Sequence, residues 1–258
     1  MPLRVLCGCE ASQTLARAFR ELGHEAYSCD LEPPYGPPAP VKQWHLQECI
    51  EAVLARDEHW DLICLFPPCR YLSAVGARWI TATKADGSLL QPDRVAKRDE
   101  AVAFVLRIWE AAKKHSAHVA LENPRGFLSR AWRSPDQWVS PHWWGSQMQK
   151  RTGLYLHGLP PLTQGQVSVP EIVRLPNGKH EPAYWHKSKG MRAKERTRMR
   201  SKLDAHFAAA IAQQWAAYIT GTPAPTPEMA PATRVVAHVP ANTHTINLNI
   251  TLRIVTDQ

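Results

Sequence analysis

Apolar residues fall along the chain in short blocks, and their period changes from one block to the next. Arg4 to Gly8 (RVLCG) is an apolar run of strand length. Cys9, Glu10, Ala11 and Ser12 then make a tight turn with Ser12 placed as an N-cap. Leu15, Ala16, Phe19 and Leu22 follow at helical spacing until Gly23 ends the helix. Glu25 to Cys29 is a second strand, closed by Asp30, and residues 33 to 40 (PPYGPPAP) form a stiff extended loop. Gln47 to Ala55 reads as a helix and Asp61 to Phe66 as a buried strand. Pro92 to Lys114 is predicted as a long amphipathic helix with Val95, Val102, Val105, Leu106 and Ile108 inward. Ala117 to Leu121 is the next buried strand, ending at Glu122. Strand and helix thus alternate, which predicts an α/β fold with a doubly wound, mostly parallel sheet.

The C-terminal part has a different texture. From Gly221 the composition turns to Pro and Ala (TPAPTPEMAPAT), an extended linker spanning 221 to 244. Beyond it Ile246, Leu248, Ile250, Leu252 and Ile254 alternate with Asn247, Asn249, Thr251 and Arg253, so Thr245 to Val255 reads as a strand. A lone strand cannot satisfy its own backbone groups or bury its apolar face. The tail, 245 to 258, is therefore expected to self-associate with another copy or to pair with an exposed sheet edge. Addition to this chain's own sheet is the plainer alternative.

Charge and cysteine usage narrow the function classes. No run of eighteen apolar residues occurs, and the first ten residues lack the order of a signal peptide, so a cytoplasmic protein without a membrane partner is expected. All six cysteines (Cys7, Cys9, Cys29, Cys49, Cys64, Cys69) precede residue 70 and are expected as thiols. Cys7 and Cys9 have no second ligand pair at zinc spacing, so no metal site is expected. The net charge is +8, and Arg174 to Lys202 alone holds ten Lys or Arg against two acids, which is the whole excess. Tyr184, Trp185 and His186 sit inside this block, a composition suited to a nucleic-acid backbone. A solvated charged face is the plainer reading.

Three expected strand ends carry chemistry-capable residues: Glu10, Cys69 and Glu122. Cys69 follows the strand 61 to 66 across Pro67 and Pro68, where open α/β sheets keep reactive groups. Asp30 occupies the place where such folds commonly bind the two hydroxyls of a ribose, although a Gly-rich dinucleotide loop is absent.

Four blocks in this order resemble the DNA cytosine-5 methyltransferases, in the compact form found in phages and prophages. They are VLCGCEAS with Asp30, FPPCRYLSAVG, LENP, and QKRTGLYL from Gln149 to Leu156, together covering residues 3 to 156. The resemblance implies a Rossmann-like methyltransferase fold, S-adenosylmethionine as cofactor, DNA as partner, and methyl transfer to carbon 5 of cytosine through a covalent Cys69 adduct. It gives catalytic roles to Cys69, Glu122 and Arg151. It implies cofactor contacts at Cys9, Glu10, Ser12, Asp30 and Pro67, with Glu10 facing the ammonium group and Ser12 the carboxylate. Residues 1 to 156 would be the catalytic core, 157 to 201 a small, basic, loop-rich target-recognition insert, and 202 to 220 a helix completing the core. DNA contacts are expected from Arg70, Lys150, Trp185, Lys187, Lys189, Arg192, Arg196 and Arg198. Arg70 and Arg151 are expected to supply the positive charge beside the thiol. The chain departs from the family at Cys7-Gly8-Cys9-Glu10, at Arg70, and at Gly153, which stands where a second arginine contacts the target base. Lys150 is the candidate to replace that arginine. A nucleic-acid binder that has lost transfer, or another modification at pyrimidine carbon 5, are the alternatives.

Overall fold

The computed structural model describes residues 1–223 apart from 37, 38, 40, 78 and 81. The expected strand at 245 to 255 and most of the linker before it lie outside the described residues. Strands β1 (Arg4–Gly8), β2 (Glu25–Cys29), β3 (His45–Leu46), β4 (Leu62–Leu65), β5 (Val119–Pro124), β6 (Gln137–Val139) and β7 (Thr152–His157) form one sheet in the order β3-β2-β1-β4-β5-β7-β6. The pairs from β3 to β5 are parallel, and β7 runs antiparallel to both β5 and β6. This is a Rossmann-like, mostly parallel sheet. Chain direction across it reverses between β1 and β4, so the crevice outside their carboxyl ends is the natural ligand site.

Side chains alternate between the two faces of the sheet, and each face has its own helical cover. On one face Val5, Cys7, Leu62, Cys64, Ala120 and Leu154 pack under α1 (Thr14–Glu21) and α8 (Ala205–Thr220). On the other, Leu6, Ile63, Leu65, Leu121 and Tyr155 pack under α2 (Ile50–Leu54) and α4 (Arg94–His115). Phe207, Ile211 and Trp215 of α8 are buried, each contributing about 1.5–3 kcal/mol. Asp204 caps this helix by accepting from the His206 and Phe207 amides, which fixes its start at Ala205. Trp144 is core, stacked on Phe207 at 5.1 Å.

The long helix is present, but its inner face is Val105, Ile108, Trp109 and Ala112, whereas Val95 is exposed. Glu122 and Asn123 belong to β5 rather than following it. The basic insert holds regular structure: a hairpin of β8 (Ile172–Arg174) and β9 (His180–Pro182), then α6 (Ala183–Ser188) and α7 (Ala193–Ser201). Two short helices complete the set, α3 (Ala74–Ala77) after the cysteine turn and α5 (Leu128–Ala131) after β5. Among the described residues no helix is long and apolar enough to cross a membrane.

Candidate active site

Cys69 lies on the turn that leaves β4, beside the carboxyl end of β5. Its carbonyl accepts from the Leu72 and Ser73 amides, which closes the turn. The turn is anchored from two sides. Arg94, buried at the start of α4, donates to the Arg70 carbonyl at 3.2 Å and to Gln91 Oε1 at 2.9 Å. The segment after β5 pairs with the turn through Phe127 N to Leu72 O and Ala74 N to Arg125 O. Gly126 makes this approach possible, since a Cβ there would stand 1.9 Å from the Leu72 carbonyl oxygen. Asn123 donates to Pro67 O at 3.4 Å, and its buried Oδ1 has no partner among the described residues.

Glu122 and Lys150 meet beside Cys69. Lys150 Nζ stands 3.8 Å from Glu122 Oε1, and the Thr152 hydroxyl donates to the same oxygen. Lys150 also donates to the Arg200 carbonyl at 3.3 Å, which ties the site to α7. Burial pushes the Cys69 thiol up, the Lys150 ammonium draws it back down, and the Glu122 carboxylate adds to the upward push. For Lys150, burial works against the charged form, but Glu122 and Cys69 outweigh it and hold the ammonium above its ordinary value.

The arginine expected in this site is elsewhere. Glu122 pairs with Leu154 across the antiparallel ladder, so Thr152 and Lys150, two and four residues before Leu154, share the Glu122 face. Arg151 and Gly153 have the opposite phase. Arg151 is exposed, with its guanidinium 5.0 Å from the Trp138 ring, and cannot serve Cys69. A Cβ on Gly153 would meet Pro135 at 2.9 Å, so the missing second arginine would have no room. Arg70 does not face the thiol either: it is exposed beside the Tyr71 ring, 5.5 Å from its centroid, and the positive charge acting on the thiol is that of Lys150.

The candidate cofactor residues cluster at the crevice. Phe66 N donates to Gly8 O, so Pro67 follows β4 just as Cys9 follows β1, side by side. Asp30 closes β2, and its Oδ1 accepts the Glu32 amide at 2.9 Å. Two expectations fail here. Ser12 is not the N-cap of α1; it is buried and donates to Glu10 Oε1 at 3.1 Å. Glu10 does not turn its carboxylate to a ligand, because that group accepts the Leu15 and Ala16 amides at 2.8 and 3.3 Å and caps α1 itself. Burial raises the Glu10 carboxyl to about 7 despite these bonds. A ribose-bearing ligand fits the remaining features: the half-buried Asp30 carboxylate at a strand end, the left-handed Cys9 backbone at φ 60°, and the orphaned Asn123 oxygen.

A cleft of about 460 Å³ opens between α3 and the basic insert, lined by Val75, Trp185, Lys189, Arg196 and Arg200. The Arg200 guanidinium covers one face of Trp185 at 3.6 Å and its Nε donates to Ser188 Oγ. The eight expected DNA contacts divide. Trp185, Lys189 and Arg196 line this cleft, Lys150 lies at the thiol, and Arg192 sits exposed just before α7. Lys187 pairs with Glu171 at 2.9 Å and Lys189 with Glu181 at 2.7 Å. Arg198 points away, to Glu32 at 3.0 Å. Arg200, Thr152 and Arg94 were not picked out by the sequence. Of these, Arg200 lies within the basic, aromatic block, so composition alone carried a signal for it. If the cleft holds a phosphate backbone, Arg192→Ala with Arg196→Ala should weaken DNA binding and flatten its log–log salt slope by roughly one unit per lost contact. Lys187→Ala should change that slope less, since Glu171 already neutralises it. Filter binding between low and moderate salt reads both.

No family model matches the chain, and no curated protein matches it. Among solved structures, WbdD, crystallised with the kinase inhibitor LY294002, is similar over 77% of this chain at 14% identity with a TM-score of 0.33. The match covers 48% of that protein, so the chain spans about half its length.

Proposed function

We propose that this protein methylates carbon 5 of cytosine in DNA, with S-adenosylmethionine as methyl donor and Cys69 as nucleophile. One observation carries the reading: a thiol, a carboxyl and an ammonium converge on one spot at the carboxyl edge of a Rossmann-like sheet, as Cys69, Glu122 and Lys150. Cytosine carbon 5 is a poor nucleophile. A thiolate adding at carbon 6 pushes the ring's electron pair toward nitrogen 3 and makes carbon 5 an enamine carbon. S-adenosylmethionine, when bound, supplies an electrophilic methyl group.

The protein's residues manage charge around that addition. Cys69 is half-buried, and desolvation holds its thiol above the ordinary value, so a reactive thiolate there needs a counter-charge. Lys150 supplies that charge. Glu122, fixed by Thr152, is placed to take the proton that Cys69 loses and to pass it to nitrogen 3 as negative charge develops there. Release requires loss of the carbon 5 proton to a base and departure of the thiolate. Cys9, Asp30 and Pro67 form the cofactor edge, with Asp30 suited to ribose hydroxyls. The target base must leave the duplex to reach the thiol, and the cleft beside Trp185 and Arg196 supplies a path for the strand that carries it.

The test is direct. The protein is incubated with methyl-labelled S-adenosylmethionine and DNA, and the digested nucleosides are resolved by mass spectrometry. Labelled 5-methyl-2′-deoxycytidine is expected. Label on another nucleoside, or none at all, would reject the reading. Glu122→Gln should slow transfer by roughly 10²–10⁴ while DNA binding stays near wild type. A rate within a few-fold would assign the nitrogen 3 proton to another group.

A further inference from the structure

We propose that Arg198 is a positioning residue for the cofactor edge and not a nucleic-acid contact; this rests on the methyl-transfer reading above. Three arginines alternate on α7: Arg196, Arg198 and Arg200. Residues two apart on a helix point to opposite sides. Arg196 and Arg200 line the cleft, and Arg198 faces the loop that follows β2. Both its Nε and its Nη2 donate to Glu32 Oε2, at 3.2 and 3.0 Å, and its guanidinium covers the Tyr35 ring at 4.5 Å.

That loop is the one that fixes Asp30. The Glu32 amide donates to Asp30 Oδ1 at 2.9 Å. The Glu32 carbonyl faces His45 Nε2 at 2.9 Å, so the ring holds the loop from the sheet side. Tyr35 N donates to the Ala11 carbonyl, which ties the loop to the turn after β1. Glu32 is thus held by its backbone to the strand ends and by its side chain to α7. Freeing the carboxylate releases the outer edge of the loop and, with it, the orientation of Asp30. The basic insert therefore contributes to cofactor affinity through one side of α7 and to nucleic acid through the other.

The experiment measures two affinities on the full chain: S-adenosylhomocysteine by calorimetry without DNA, and DNA by salt titration without cofactor. Arg198→Ala and Glu32→Ala should each weaken S-adenosylhomocysteine by about threefold to tenfold, the scale of an exposed ion pair with a cation–π contact. The double variant should be no weaker than either single one, and the swap Glu32→Arg with Arg198→Glu should restore affinity. The DNA salt slope should not move in any of them. A slope reduced by Arg198→Ala, with unchanged S-adenosylhomocysteine affinity, overturns the assignment and returns Arg198 to the nucleic-acid face. Wild type that does not bind S-adenosylhomocysteine at all rejects the methyl-transfer reading itself, and the assignment with it.

Discussion

Cys69→Ser should abolish methylation while leaving S-adenosylhomocysteine and DNA affinities unchanged. A serine hydroxyl does not ionise near neutral pH, so carbon 6 would face an alcohol in place of a thiolate. The substitution removes little packing, because the Cys69 turn is held by backbone bonds to Leu72 and Ser73 and by Arg94 on the Arg70 carbonyl. DNA carrying 5-fluorocytosine gives a second readout. Wild type should form an adduct that survives denaturing electrophoresis, since a base can take hydrogen from carbon 5 as a proton but cannot take fluorine as a cation, so the thiolate is not expelled. The adduct should need S-adenosylmethionine to accumulate and should be absent with the serine variant. Turnover by Cys69→Ser, or an adduct mapping to Cys9 or another cysteine, would end the case for this nucleophile.

The sheet was legible in the sequence because its central strands are buried on both faces and read as apolar runs. β1 and β2 fall where RVLCG and EAYSC place them, and the reactive residues fall at strand ends for the same reason. What failed was the assignment of faces. Arg151 resembled the arginine of a known block, yet the period of two fixes Lys150 and Thr152 in phase with Leu154 and Leu156. Lys150 was named as a base contact, and applying that period to QKRTGLYL would have placed it, rather than Arg151, beside the thiol. Glu10 was misread for a different reason. No local pattern signals a carboxylate reaching forward five and six residues to cap a helix, in place of Ser12 at the usual position. The insert was illegible because its elements have almost no apolar face. Within α7 no residue is buried, so periodicity had nothing to report. The long helix buries Val105 and Ile108 as its period predicts, but its buried stripe runs on through Trp109 and Ala112, and Val95 in its first turn is exposed.

Lys150→Gln should cost roughly 10²–10³ in turnover, the scale of removing one preorganised charge from a reacting centre. The reason lies in the influences on the Cys69 thiol. Burial and Glu122 raise it, while Lys150 and, more weakly, a backbone hydrogen bond lower it. Removing Lys150 takes away the larger of the two downward influences, so the pH at which the thiolate appears must rise. Iodoacetamide labelling of the Cys69 peptide, followed by mass spectrometry across pH, reads this without DNA or cofactor. The labelling midpoint should move to higher pH in Lys150→Gln and return toward wild type in Lys150→Arg, which keeps the charge. Arg151→Ala is the control: its guanidinium lies over Trp138, so turnover and labelling midpoint should both stay near wild type. Lys150→Gln also loses the donor to the Arg200 carbonyl, so a thermal melt must accompany the kinetics. A rate loss with an unmoved midpoint would make Lys150 a prop for α7. A moved midpoint in a variant that melts like wild type identifies its ammonium as the charge that makes Cys69 a nucleophile.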